Sequence, residues 1–301
     1  MKRALALIAF LAAAAPALAA SFEEAAALYE DKDYKSARQI AEPLAKAGDV
    51  RAMAMLGAVY QGGRGVEADL NKAAEWYRKA AEKGHTAAQF ALASMYLGGS
   101  LGAADPAAGE IWLRKAADGG HAEAQVTMGL MASGAFGKPP DWPSALAWFR
   151  KAAERGNADG QYNLGLLYLD GRGVEKNRIA AAKWFAKAAS LGHTDAALDY
   201  GVLVFRGEGV EKDEKIGAAW MLVAARRGNP VAQNRIARLY AFGRGVEADP
   251  VEALKWNLLA AKGGRPDAEL DTLLAKLDPK QKAEAEARAA AFKPKPENTG
   301  G

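Results

Sequence analysis

One repeated unit of 36 residues decides the fold of this chain. Residues 158–193 read ADGQYNLGLLYLDGRGVEKNRIAAAKWFAKAASLGH, and both glycine and tryptophan recur at this interval along the sequence. The glycines are Gly48, Gly84, Gly120, Gly156, Gly192, Gly228 and Gly264. The tryptophans are Trp76, Trp112, Trp148, Trp184, Trp220 and Trp256. A constant period without insertions is typical of repeat proteins, in which each unit packs only on its neighbours.

Each unit predicts a pair of helices. Ala73, Trp76, Tyr77, Ala80 and Ala81 are spaced as on one stripe of an amphipathic helix. We therefore predict that the periodic tryptophans lie in the core. Short polar residues precede this helix and are expected to cap its first turn: Asp69, Asp105, Asp141, Asn177, Asp213 and Asp249. The periodic glycines fit the left-handed residue that follows a helix.

The first helix of each unit keeps one interior position small, as Gly57, Ala93, Gly129, Gly165, Gly201 and Ala237. Because glycine inside a helix costs about 1 kcal/mol relative to alanine, its recurrence indicates that two helices cross closely there. Glycine-rich segments such as residues 170–175, DGRGVE, connect the helices. A phosphate cradle is conceivable, but no Gly-x-x-x-x-Gly-Lys-Ser/Thr string occurs, which favours a structural turn.

The pattern predicts an all-α protein, a right-handed α-solenoid of stacked helix-turn-helix units. Its divisions are a signal peptide at 1–19, an N-terminal helical unit at 20–48, six repeats at 49–264, capping helices at 265–292 and a disordered tail at 293–301. The basic start, the apolar run of residues 4–15 and the small residues around Ala19 and Ala20 are typical of export, with cleavage after either alanine. We expect a periplasmic location and no membrane span, because no later stretch approaches about 20 apolar residues.

Composition narrows the function classes. The chain has 40 Lys and Arg, 36 Asp and Glu, and a net charge of +4, with both signs scattered, which is not a nucleic-acid footprint. Without cysteine there is neither a disulfide, nor a thiolate metal site, nor a cysteine nucleophile. The His-Glu-x-x-His and Ser-x-x-Lys catalytic motifs are missing from the sequence. Residues 98–102, GGSLG, match Gly-x-Ser-x-Gly by letter, but they form one of the loops between helices, whereas that motif requires a strand before it. We expect no catalytic residue, no metal site and no cofactor, and therefore not an enzyme.

The histidines and the seventh tryptophan, Trp142, have structural explanations. One repeat position holds His85, His121 and His193, and elsewhere Asp49, Asn157 and Asn229. Those residue types suit a helix cap. Equivalent positions in stacked units lie about 10 Å apart, whereas zinc ligands lie about 2.1 Å from their ion. Trp142 falls outside the period and is expected to make a loop or helix-start contact.

Residues 158–193 closely resemble the Sel1-like repeats, relatives of the tetratricopeptide repeats, and the resemblance covers about residues 49–264. It implies a helix-pair solenoid and a role in binding other proteins. By analogy with tetratricopeptide grooves, variable positions on the first helices could contact a partner: Arg51, Thr127, Asn163, Asp199, Arg235 and Arg238. Asn163 and Arg235 are the first candidates for contact with an extended peptide, and the alternative is an ordinary solvated face.

The sequence therefore predicts a non-catalytic scaffold or adaptor in the cell envelope, which binds a protein or peptide partner and no nucleic acid. An alternative from another class stays open, namely an envelope protein that binds or hydrolyses peptidoglycan.

Overall fold

The computed structural model describes residues 21–295, and all regular structure in that range is helical. The predicted signal peptide, residues 1–19, lies outside the described residues. The sixteen helices of residues 21–295 are α1 (Phe22–Glu30), α2 (Tyr34–Lys46), α3 (Val50–Gly62), α4 (Leu70–Glu82), α5 (Thr86–Leu97), α6 (Pro106–Asp118), α7 (Ala122–Ala132), α8 (Trp142–Glu154), α9 (Ala158–Asp170), α10 (Arg178–Ser190), α11 (Thr194–Arg206), α12 (Glu214–Arg226), α13 (Pro230–Phe242), α14 (Pro250–Lys262), α15 (Ala268–Leu274) and α16 (Pro279–Ala290).

The chain divides into two compact units between Lys115 and Ala116. In the first unit, helices α1 to α5 pack in order, each against the next. In the second, helices α7 to α14 pack in the same way, and α14 also contacts α15 and α16. Contact between successive helices is the packing of an α-solenoid, so the predicted all-α solenoid is confirmed. Within residues 21–295 no helix has both the length and the apolar character needed to cross a bilayer.

The predicted helix starts and stops are confirmed. The six expected Asp and Asn residues each accept a backbone hydrogen bond, for example Asp69 from Lys72 at 2.9 Å and Asn177 from Ala180 at 2.9 Å. The periodic glycines all have positive φ, between 79° at Gly264 and 104° at Gly48. These contacts satisfy backbone groups that a helix end leaves unpaired.

The three histidines also act as caps. Nδ1 of His85, His121 and His193 accepts the backbone N–H three residues later, at 3.1–3.4 Å. The predicted capping role is therefore confirmed, and it accounts for the polar residues that share this repeat position.

The prediction that the periodic tryptophans lie in the core holds in full only for Trp256. Four others pack against the core while partly exposed, namely Trp76, Trp112, Trp184 and Trp220. Only Trp256, at 2% exposure, is buried, and the other five are half-buried. The residue after each tryptophan is buried, as Tyr77, Leu113, Phe149, Phe185, Met221 and Asn257. Ala73, Tyr77, Ala80 and Ala81 of the predicted stripe are thus in the core, and the indole lies at the edge of that stripe.

A lysine one turn later covers most of these indole rings. The ammonium groups of Lys79, Lys115, Lys151 and Lys187 lie 4.0–4.4 Å from the ring centroids of the tryptophans three residues earlier. A cation over an indole face is attracted by the negative face of the ring, and the lysine stem shields part of the ring from water.

The predicted close helix crossings are confirmed. A Cβ on Gly165 would lie 2.6 Å from Cδ1 and Cε1 of Phe185, and one on Gly57 would lie 2.5 Å from the Tyr77 ring. Glycine at this position of the first helix therefore leaves room for the buried side chain of the second helix.

The structure also shows a link between successive repeats that the sequence analysis missed. Buried glutamines on first helices donate Nε2–H to a carbonyl of the preceding second helix, at 3.0–3.3 Å. The pairs are Gln89 with Ala81, Gln125 with Ala117, Gln161 with Ala153 and Gln233 with Ala225. Recurrence of glutamine at the 36-residue interval was the available signal. Each of these carbonyls also accepts the N–H of the periodic glycine three residues later, so the bond stabilises the stacking by satisfying the buried glutamine N–H.

The glycine-rich loops serve as structural turns, as predicted. Gly173 has φ 69°, and a Cβ there would lie 2.5 Å from the carbonyl oxygen of Trp142. The guanidinium of Arg172 lies 4.9 Å from the Trp142 ring centroid. Because Trp142 is the first residue of α8, its predicted helix-start contact is confirmed.

The C-terminal segment closes the second unit. Arg288 of α16 donates to Glu252 of α14 at 2.7 Å, and the Phe292 ring packs edge-on against Trp256 at 5.5 Å. The tail was predicted to be disordered from residue 293. Its first three residues lie against α12, where the backbone N–H of Lys295 donates to the carbonyl of Arg226 at 2.9 Å, and residues 296–301 lie outside the described range.

Candidate functional site

The predicted binding residues all lie on first helices, but three of them make local contacts. Arg51, in the first unit, pairs with Glu23 at 2.8 Å and lies over the Phe22 ring. Thr127 and Asn163, in the second unit, bond to carbonyls of their own helices at 2.8 Å. These contacts hold the three side chains on the helix surface and do not bring them together.

Two of the predicted residues, Arg235 and Arg238, line one cavity in the second unit. The cavity has a volume of about 670 Å³ and lies between α11 and α13, with Met221 of α12 also in its wall. Its basic lining residues are Arg206, Lys212, Arg235, Arg238 and Arg244, and its apolar ones are Val202, Phe205, Met221, Leu239 and Phe242. Of the described residues that line it, Glu208 alone is acidic.

At the outer edge of the cavity, the charges of Arg206, Lys212 and Arg244 are paired with two carboxylates. Arg244 donates to Glu214 at 2.9 Å, and Lys212 lies 3.2 Å from the same carboxylate. Arg206 lies 3.6 Å from Glu208. Arg178, outside the cavity, also lies 3.4 Å from Glu208, so four positive charges share two negative ones at this edge. The exposed pairs among them contribute little to stability.

The guanidinium of Arg238 is bound to acidic residues at the start of α15. Its guanidinium makes two hydrogen bonds to Asp267, at 2.8 and 2.9 Å, and a third to Glu269 at 3.0 Å. Burial alone would raise the pKa of Asp267, but hydrogen bonds from Asn234 and Arg238 outweigh it and hold that pKa below its usual value. Arg238 thus lines the cavity while its charge is neutralised by α15.

Arg235 lacks such a close partner. Its Nε is buried without a hydrogen-bond partner, and it lies in a wall shared with Arg206. Burial, reinforced by the charge of Arg206, lowers the pKa of Arg235, and Asp199 acts in the opposite direction. A buried cation without a complete set of hydrogen bonds is costly.

Asp199 borders this cation on α11. Burial raises the pKa of the Asp199 carboxyl, and the Arg235 charge partly counters the rise. The hydroxyl of Tyr162 donates to Oδ2 of Asp199 at 3.1 Å. The carboxylate makes no hydrogen bond to Arg235 and compensates its charge only through space.

Sequence reasoning missed most of the cavity. The missed residues include Arg206 and Phe242, which occupy one repeat position whose earlier members are Gly62, Gly98, Gly134 and Asp170. The change from glycine to a large side chain in the last two repeats was the available signal. Chemically, the cavity offers several guanidinium donors beside apolar surface, which suits an anionic group attached to an apolar one.

Comparison with known proteins gives the family. The sequence matches the Sel1 repeat over residues 50–85, 86–121, 122–157, 158–193, 194–229 and 230–264. No curated protein sequence matches the chain. Among solved structures, the chain is similar to a Sel1 repeat protein from Oxalobacter formigenes, with 29% identity, a TM-score of 0.70, and coverage of 79% of this chain and 96% of that one.

A second similar structure is c5321, described as a protective antigen present in uropathogenic Escherichia coli strains and displaying an SLR fold. It shares 29% identity and a TM-score of 0.55, with coverage of 91% of this chain and 68% of that chain. The family match spans well over half of the sequence, in six consecutive copies that follow the observed helix pairs. The chain therefore belongs to the Sel1 repeat family.

Proposed function

We propose that this protein is a non-catalytic scaffold that binds a protein or peptide partner in the cell envelope. Sel1 repeat proteins generally mediate protein–protein interactions, which supports the binding role. The observation that carries the proposal is the cavity between α11 and α13, where Arg235 and Phe242 offer charge and apolar surface together. Neither residue is needed for the repeat, because other side chains stand at both positions in the other units.

The envelope location is supported by the sequence of residues 1–19. Expression with a C-terminal tag, followed by fractionation and intact-mass measurement, tests it. We expect a periplasmic product that begins at Ala20 or Ser21. Recovery of the uncleaved chain in the cytoplasm would refute the location and leave the binding role standing.

The binding role is tested with the chain that begins at Ser21, in envelope extracts under mild crosslinking. A partner identified by mass spectrometry should then bind the purified chain in calorimetry, and the partner's mass should stay unchanged. If no protein recovered in this way binds after purification, the scaffold role is wrong.

The same preparation separates the scaffold from the peptidoglycan alternative. Purified cell wall is incubated with the chain and sedimented, and the supernatant is analysed for released fragments. Co-sedimentation or fragment release would favour the alternative, whereas the scaffold proposal expects neither.

A further inference from the structure

We propose that the cavity between α11 and α13 binds a peptide segment of the partner in which a carboxylate stands next to a large apolar side chain. This inference rests on the proposed function, since it names the chemistry that the scaffold recognises. Three observations support it: the excess of positive charge, the incomplete bonding of Arg235 and the exposed aromatic surface of Phe242.

The charges inside the cavity do not balance. Arg206, Lys212 and Arg244 share the carboxylates of Glu208 and Glu214. Arg238 is satisfied by α15, which leaves the charge of Arg235 without a carboxylate in hydrogen-bond contact. Like charges held close in a partly dry site repel one another, so a bound carboxylate would stabilise the site.

Arg235 is the cation that a carboxylate would meet, because it lines the cavity and is only half-buried. Its Nε is buried and makes no hydrogen bond, although arginine usually reaches such positions to form paired bonds. Asp199 is nearby, but it accepts from Tyr162 and makes no hydrogen bond or ion pair with Arg235. A carboxylate entering the cavity would give the guanidinium of Arg235 an acceptor.

The apolar wall distinguishes a peptide from a simple anion. The Phe242 side chain is 52% exposed, and Val202, Phe205 and Leu239 continue the apolar surface into the cavity. The volume of about 670 Å³ holds several side chains, far more than one inorganic ion requires. A peptide with an acidic and an aromatic or aliphatic residue would fill both halves.

Three labelled peptides test this chemistry by fluorescence anisotropy. The probe is Ser-Gly-Leu-Glu-Phe-Asp-Leu-Gly-Ser; one control carries Gln and Asn instead of the acids, and the other carries Ser instead of Leu and Phe. We expect the probe to bind about tenfold more tightly than either control. Raising the salt concentration should weaken it, because screening reduces charge attraction.

Two cavity variants and one matched control locate the site. Arg235→Asn copies Asn163, which stands at the same position of another repeat, so it is compatible with the fold. It should weaken probe binding about tenfold or more, because it removes a charged donor. Phe242→Ala should weaken it about fivefold through lost apolar contact. Arg172→Gln, at the repeat position of Arg244 but outside the cavity, should change affinity less than about twofold.

The outcomes separate this inference from the scaffold role. Equal binding of the probe and either control peptide, no binding of the probe, or unchanged affinity in Arg235→Asn would overturn the inference. If a purified partner still binds Arg235→Asn as it binds the wild type, the scaffold role stands and the cavity is not its site. Thermal unfolding of each variant shows whether a loss of binding comes from misfolding. If Arg235→Asn is misfolded, the affinity of Phe242→Ala, at the edge of the cavity, tests the inference instead.

Discussion

We predict that Gly165→Ala destabilises the protein although alanine is the better helix former. Gly165 of α9 lies against Phe185 of α10, and a Cβ there would lie 2.6 Å from two atoms of the ring. The ring is fully buried and cannot swing into solvent. Either the ring or the two helices must therefore shift to accommodate one methyl group.

The magnitude follows from two opposed effects. Overpacking a close contact costs about 1–3 kcal/mol, and replacing a helical glycine by alanine contributes about 1 kcal/mol. In the wild-type chain, Gly165→Ala should therefore lower the free energy of unfolding by about 0–2 kcal/mol. In a Phe185→Leu background the clash disappears, so the same substitution should stabilise by about 1 kcal/mol.

The repeats themselves support this expectation. Where the buried residue of the second helix is Tyr, Phe or Met, the facing position is glycine, and where it is Leu113 or Asn257, the facing position is Ala93 or Ala237. Alanine is thus compatible with the fold when Leu or Asn lies opposite it.

A double-mutant cycle on Gly165 and Phe185 measures the effect. Urea unfolding is followed by circular dichroism for the wild type, both single variants and the double variant, with the m-value checked because repeat proteins can unfold in more than one step. We expect a coupling free energy of about 1–3 kcal/mol. An identical effect of Gly165→Ala in both backgrounds would refute the reasoning.

Two further predictions use the same repeats. Phe149→Ala should cost about 3–5 kcal/mol in urea unfolding. Trp148→Ala should cost clearly less, because Phe149 is 2% exposed while the indole is half-buried under a lysine. Equal losses would contradict the placement of the indole at the edge of the apolar stripe. Carbon-13 NMR should show a raised pKa for Asp199, raised further in Arg235→Asn, since burial raises that pKa and the Arg235 charge lowers it. The pKa of Asp199 is higher in the folded protein than in the unfolded chain. Its contribution to the free energy of unfolding is therefore present below the unfolded pKa and is lost as pH rises through the folded pKa. An unchanged Asp199 pKa in Arg235→Asn would contradict the effect of the Arg235 charge.

Much of the fold could be predicted because it is encoded within single units. The N-cap at Asp69 and the left-handed glycine at Gly84 depend on backbone geometry a few residues away. Which of Trp76 and Tyr77 is more deeply buried could not be predicted, since both belong to the same apolar stripe. That difference depends on the small residue that faces Tyr77 from the other helix, Gly57.

The candidate site shows the same division. Sequence variation at one repeat position was sufficient to select Arg235, but nothing local indicates that Arg206 and Phe242 lie beside it, or that Arg238 is bound to Asp267. The repeat, its caps and its period were determined by sequence alone, because neighbouring residues satisfy the hydrogen bonds of each helix end. The cavity and its charge balance were decided only in the tertiary structure, because its walls come from different repeats and their desolvation depends on how those repeats stack.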